Sequence, residues 1–145
     1  MVKLLTLDAN VFVAALKADE KYSDDCAEIL RRLPRGFALA EPSIVYQEVC
    51  GTLARRVGVD VARRAEEFLD AVLVPDLVFD CDVDFCRSAY ELCSEYRIYS
   101  VDALYLKTAL SVGAVLVSLD SEDFVERIRE AKPPIEVYHV SEFPY

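Results

Sequence analysis

Five short apolar runs, near residues 3–7, 36–40, 76–80, 114–118 and 135–140, alternate along this chain with segments of helical periodicity. Those segments fall near 10–18, 23–33, 43–57, 60–73, 83–97, 101–112 and 122–131. A short continuous apolar run reads as a strand buried on both faces, and strands separated by helices pair in parallel. The pattern predicts a three-layer α/β/α fold, with a mainly parallel central sheet of about five strands and helices on both faces. Pro42, Gly58, Pro75, Gly113 and Pro133-Pro134 stand where helices should start or stop. No repeat, linker or low-complexity stretch interrupts the 145 residues, so residues 1–145 are expected to form one domain.

Two of the runs deliver a carboxylate at their end. "LTLDANVF" reaches Asp8 behind the first strand, and "VLVSLDSEDF" reaches Asp120 behind the fourth. In open parallel sheets ligands collect outside the carboxyl ends of the strands, so both groups should project at that edge. A Gly-rich phosphate loop is absent, with only four glycines in the chain. An acidic edge of this kind suits a cation.

A third carboxylate joins them from the helix "VDALYLKTALSV". At 100° per residue Asp102 shares its face with Tyr105, Leu106 and Ala109, opposite Lys107 and Ser111, so it heads the face aimed into the protein. Each carboxylate has an ordinary alternative. Asp102 in a first turn behind Ser100 favours the helix dipole; Asp8 and Asp120 are placed to begin helices, the latter with Ser121, Glu122 and Asp123. Helix capping does not account for three of them converging from distant segments. Clustered carboxylates repel one another and raise each other's pKa, and a hard divalent cation removes that cost. An oxygen-only set without His or Cys points to Mg²⁺ or Mn²⁺. Such ions acidify a water nucleophile and stabilise a pentavalent phosphoryl transition state, which fits phosphodiester hydrolysis.

The formal net charge of −10 argues against nonspecific nucleic-acid binding. Basic residues nevertheless come in pairs, Arg31-Arg32, Arg55-Arg56 and Arg63-Arg64, with Arg35 near the first. They read either as solvated helix faces or as phosphate contacts around an acidic centre. The five cysteines show no zinc-site spacing. No apolar run approaches the length of a membrane span, and Asp8 comes too early for a secretory signal. A soluble, cytoplasmic protein with no membrane partner is expected.

In this order the motifs resemble the PIN domain, the small nuclease fold that includes the toxins of VapBC toxin–antitoxin systems. "LDANVF" resembles the opening D-x-N motif, "PSIVYQEV" the helix whose acidic motif falls on Glu48, "YSVDALYLKTAL" the D-A-x-Y-L-x-x-A motif on Asp102, and "LVSLDSEDF" the closing T-x-[D/N]-x-x-D-F motif. The resemblance implies an endoribonuclease dependent on Mg²⁺ or Mn²⁺ that leaves a 5′-phosphate and a 3′-hydroxyl. It implies an acidic, metal-holding cluster of Asp8, Glu48, Asp102 and Asp120, with Asp123 sharing or supplementing the place of Asp120. Asn10 falls on a position that orients the first Asp, and Ser118 stands where Thr is commoner, keeping the hydroxyl. It further implies an RNA substrate, a homodimer and, for a toxin, an antitoxin partner over the groove.

Glu48 is reached through the resemblance alone. Its own helix pattern sets it with Thr52 and Arg55, away from Val49, Leu53 and Val57, where a solvated Glu is the ordinary reading. The lone His139 and the tyrosines Tyr90, Tyr96 and Tyr105 read as structural or packing residues, with a minor base-stacking possibility for Tyr90 and Tyr96. Exposed apolar residues of 23–33 or 83–97 would supply a dimer face. Two other classes compete. One is a PIN-like module that binds RNA or protein without cutting. The other is a phosphatase with Asp8 as nucleophile, whose D-x-D start this chain lacks because Asn10 follows.

Overall fold

The structure is a computed structural model and describes residues 2–145. Five strands form one all-parallel sheet: β1 (Lys3–Leu7), β2 (Phe37–Pro42), β3 (Leu73–Phe79), β4 (Val115–Ser118) and β5 (Val137–His139), in the order β3-β2-β1-β4-β5. The connections carry α1 (Ala9–Lys17), α2 (Ser23–Arg31), α3 (Val45–Arg56), α4 (Val59–Val72), α5 (Val83–Ala89), α6 (Glu91–Tyr96), α7 (Ser100–Val112) and α8 (Glu126–Glu130). Strand order grows from β1 toward β3 and then, after a jump back, from β4 toward β5. Right-handed crossovers in opposite directions put α1–α4 on one face and α5–α8 on the other. The α1 helix packs on α2 and α3, while α7 lies across β1 and β2 beneath α5 and α6.

The central strands explain their own sequence. Leu5, Leu7 and Leu39 are fully buried, as are Leu116 and Val117, because helices cover both faces. Helices that return antiparallel to the strands begin at the carboxyl edge, which gathers the first turns of α1, α3 and α7 there. The reversal of strand order falls between β1 and β4 and opens a crevice at that edge, the usual ligand position in such sheets.

Three expectations shift. The third strand begins at Leu73, directly after α4, and contains Pro75, which the sequence pattern places at a helix boundary. A proline is tolerated because β3 is an edge strand, and its pairing with β2 shifts register between Leu39 and Glu41. The segment 83–97 is two helices rather than one, broken at Tyr90. There Ser88 Oγ donates to Phe85 O at 2.7 Å, so a side chain enters the helical ladder. The last predicted helix opens with a π-helical turn, Ser121–Val125, before α8. No helix of the described residues is long and apolar enough to cross a membrane, and all five cysteines are free thiols.

Candidate active site

Asp8 ends β1 and takes the N-cap position of α1, yet its carboxylate makes no capping hydrogen bond. It is turned instead toward β4. Ser118 Oγ donates to Asp8 Oδ2 at 2.9 Å and Asn10 Nδ2 donates to the same oxygen at 3.1 Å. Asn10 Oδ1 accepts the Leu119 amide at 3.2 Å, and Ser118 Oγ accepts the Asp120 amide at 3.0 Å. These bonds clip the end of β1 to the end of β4 across the switch point, and Oδ1 of Asp8 stays outside the clip.

Around this corner lies a cavity of about 400 Å³ lined by Asp8, Asn10, Glu48, Thr52, Asp102 and Asp120, with the exposed side chains of Glu20 and Arg56 also in its wall. Glu48 and Asp102 both occupy the first turn of their helices, α3 and α7, from opposite faces of the sheet. The positive end of each helix favours a carboxylate at that place. Asp120 does begin its helical turn, accepting the Asp123 amide at 3.0 Å, and still lines the cavity. Capping and site membership therefore coexist there. Asp123 is not brought into the cavity wall; it pairs with Arg127 at 2.8 Å.

The electrostatics follow from this crowding. Burial, then the charge of Asp102, pushes Asp8 up to about 7, against the pull of the Ser118 hydrogen bond. Burial, then the charges of Asp120 and Glu48, pushes Asp102 up to about 6. Two carboxylates whose ionisation is made costly in this way, facing a shared polar cavity, form a set that a cation would stabilise in its charged form. The donors are all oxygen, which fits Mg²⁺ or Mn²⁺ and not zinc or copper. Among the described residues no three acidic, His or Cys side chains stand close enough to clasp an ion by themselves. That suits an ion completing its shell with water and substrate oxygens, as Mg²⁺ does.

Glu41 is not singled out by the sequence, where it falls between the second apolar run and the helical segment that follows. It is fully buried at the end of β2. Its Oε2 accepts the Leu7 amide at 2.7 Å, while Oε1 is buried with no partner. Burial drives its pKa well above the carboxylate range, with Asp8 adding to the rise. Tyr105, read as packing, is fully buried with its hydroxyl unpartnered, and burial with the charges of Glu41, Glu48 and Asp8 holds its phenol protonated. A polar layer thus backs the cavity from inside. The only sequence signal for it was an acid within "FALAEP", a run otherwise fit for the core.

The remaining candidates sit elsewhere. His139 Nδ1 accepts the Ser141 amide at 3.1 Å in a C-terminal turn, its ring edge-on to Tyr22 at 4.9 Å between centroids. Tyr96 is buried and Tyr90 exposed. Arg56, rather than Arg55, joins Glu48 and Thr52 in the cavity wall, and Val57 is exposed where the helix pattern had set it in the core.

The PIN domain family model matches residues 5–130. Among solved structures the chain is similar to VapC20 of Mycobacterium tuberculosis, described as a toxin that cleaves the sarcin-ricin loop, with a TM-score of 0.68 and 18% identity over 83% of this chain and 92% of that one. It is also similar to VapBC2 of Rickettsia felis bound to a promoter DNA fragment, with a TM-score of 0.67 and 20% identity over 94% and 98% of the two chains. A toxin–antitoxin complex from Klebsiella pneumoniae gives a TM-score of 0.68 and 19% identity over 97% and 99%. No curated protein matches. At these identities the structural likeness is one of fold, and the family model, covering most of the chain, decides membership. The chain belongs to the PIN domain family.

Proposed function

We propose that the protein is a divalent-metal-dependent endoribonuclease, the toxin of a toxin–antitoxin pair, with residues 1–145 acting as one cytoplasmic nuclease domain. The observation that carries this reading is the meeting of Asp8, Glu48, Asp102 and Asp120, from four separate segments, in one cavity at the switch point. These four carboxylates would hold Mg²⁺ or Mn²⁺ together with water and substrate oxygens, since no three of them stand close enough to clasp an ion by themselves. Asp123 contributes charge to Asp102 from outside the wall. A bound cation supplies Lewis acidity toward the phosphate and acidifies water.

The chain's own groups do the rest. Ser118 and Asn10 fix Asp8 by holding one oxygen, which sets the direction of the other. Asp8 and Asp102, whose pKa values burial and crowding raise, would be fully ionised with a cation bound. The positive helix ends beneath Glu48 and Asp102 favour a carboxylate at each place. In the toxin reading a small antitoxin protein covers the cavity. A second copy of the chain covers the apolar cleft of α5–α7 lined by Cys86, Ala89, the exposed Tyr90, Cys93, Val101 and Leu104. Sedimentation should then show a dimer that Tyr90→Glu converts to monomer; a wild-type monomer refutes the homodimer.

The test of activity is cleavage of a labelled single-stranded RNA panel with Mg²⁺, Mn²⁺ or EDTA, alongside Asp102→Asn. Cutting should require the metal and fall by about 10³-fold in the variant. Cutting that survives EDTA or the substitution refutes the site. RNA binding without cutting would favour the noncatalytic module.

A further inference from the structure

We infer that Arg56 grips a phosphate flanking the scissile one, so that the exposed side of α3 from Glu48 to Arg56 is the track along which the RNA backbone leaves the carboxylates. The inference rests on reading the cavity as an RNA-cleaving site. Its wall holds five carboxylates, those of Asp8, Glu20, Glu48, Asp102 and Asp120, against the single guanidinium of Arg56. A polyanionic strand entering this wall meets repulsion everywhere except at the bound cation and at Arg56.

Arg56 is also uncommitted. Although it stands in an acidic wall, it forms no ion pair with any of those carboxylates, nor with another among the described residues. Arg55 and Arg64 are likewise unpaired but stand outside the cavity wall, and the remaining arginines of the pairs are engaged. Arg31 pairs with Glu28 at 3.2 Å, Arg63 with Asp60 at 3.7 Å, and Arg32 donates to Tyr145 O at 2.6 Å while lying over the Phe37 ring. None of these three lines the cavity.

Helix geometry supplies the spacing. Glu48, Thr52 and Arg56 are successive i,i+4 neighbours, so one turn advances about 6 Å along the axis. Eight residues separate Glu48 from Arg56, about 12 Å along the axis, and both side chains lean toward the preceding turn, so the longer Arg side chain shortens that distance only in part. That offset places Arg56 at a flanking phosphate and not at the one beside Glu48. It leaves the phosphate nearest Glu48 to the carboxylates and their cation. Thr52 adds a hydroxyl able to donate to the same phosphate oxygen.

The experiment compares Arg56→Gln, Arg56→Lys and Arg63→Gln on a short single-stranded RNA. Cleavage kinetics are measured with Mn²⁺, and binding by anisotropy with Ca²⁺ over a salt series. Arg56→Gln should raise KM roughly 10–30-fold with little change in kcat, as expected for loss of a charge-assisted phosphate contact. The slope of log K against log salt should become shallower by about 0.7, the value for one lost phosphate contact to a single strand. Arg56→Lys should retain the slope, since the charge remains. Arg63→Gln should stay within about twofold of wild type. The inference is overturned if Arg56→Gln matches Arg63→Gln, or if it lowers only kcat. It is likewise overturned if the substitution changes only the Mn²⁺ concentration at half-maximal rate, which would make Arg56 a neutraliser of the carboxylates. A wild-type protein that binds RNA without cutting fails the enzymatic reading, and the anisotropy slopes then decide Arg56 separately.

Discussion

Asp8→Asn should lower metal-dependent RNA cleavage by at least about 10³-fold while making the metal-free protein more stable near pH 8. The two effects share one cause. Asp8 is buried beside Asp102 and Glu48, and its carboxyl ionises only near pH 7 instead of 3.8. Between those values the folded state holds a proton that the unfolded chain has already released. The resulting stabilisation is complete below about pH 4 and is lost as the pH rises through about 7. Asn keeps an oxygen to accept from Ser118 and Asn10 but never acquires the charge. The melting-temperature gain of the variant over wild type should therefore be absent near pH 4 and grow to roughly 5 °C at pH 8. Saturating Mg²⁺ or Mn²⁺ should close that gap at pH 8 by stabilising wild type alone. Differential scanning calorimetry across pH, with and without metal, measures both parts. A variant that cuts RNA normally, or shows no gain at pH 8, contradicts the placement of Asp8 in a cation-holding set.

Glu41 should separate the acid's hydrogen bond from its charge. Glu41→Ala removes the carboxyl oxygen that accepts the Leu7 amide in the middle of the sheet and leaves a void, at a cost of about 3 kcal/mol, or roughly 6–12 °C in melting temperature. Glu41→Gln keeps an acceptor of the same shape for that amide. Burial raises the Glu41 pKa, so the folded state favours its neutral form, and the amide mimics that form. The same sign argument then applies as for Asp8: the carboxyl's contribution falls away as the pH rises, and Gln never loses it. Glu41→Gln should thus melt at or above wild type at pH 8, with Glu41→Ala far below. Thermal denaturation of the pair decides it. If Gln destabilises as much as Ala, the carboxyl is ionised in the folded protein and makes a bond that an amide cannot replace.

Much of the site was visible in single elements. Asp8 and Asp120 follow short apolar strands, and Asp102 lies on the inward stripe of its helix, because strand ends and helical faces are local properties of a few residues. Glu48 was different. Its own helix offers a polar side with no sign of what faces it, and the neighbouring arginine was assigned to 55 where the tertiary structure turns 56 into the wall. Helical spacing admits both positions, and packing of α3 on α1 and α4 chooses between them. Tyr105 shows the same limit: its burial could be read from the stripe it shares with Leu106 and Ala109, but its unpartnered hydroxyl could not.

The amino-acid sequence by itself determined the order of strands and helices, hence the parallel sheet, its covered faces and the edge where carboxylates would emerge. Periodicity and strand length carry that information within a dozen residues. The tertiary structure alone decided which groups meet. Ser118 reaches Asp8 across 110 residues of chain, and Glu41 takes the Leu7 amide across 34. In a parallel sheet every lateral neighbour arrives after a crossover, so the strand order β3-β2-β1-β4-β5, and not any local pattern, brings the clip, the buried acid and the cavity to one corner.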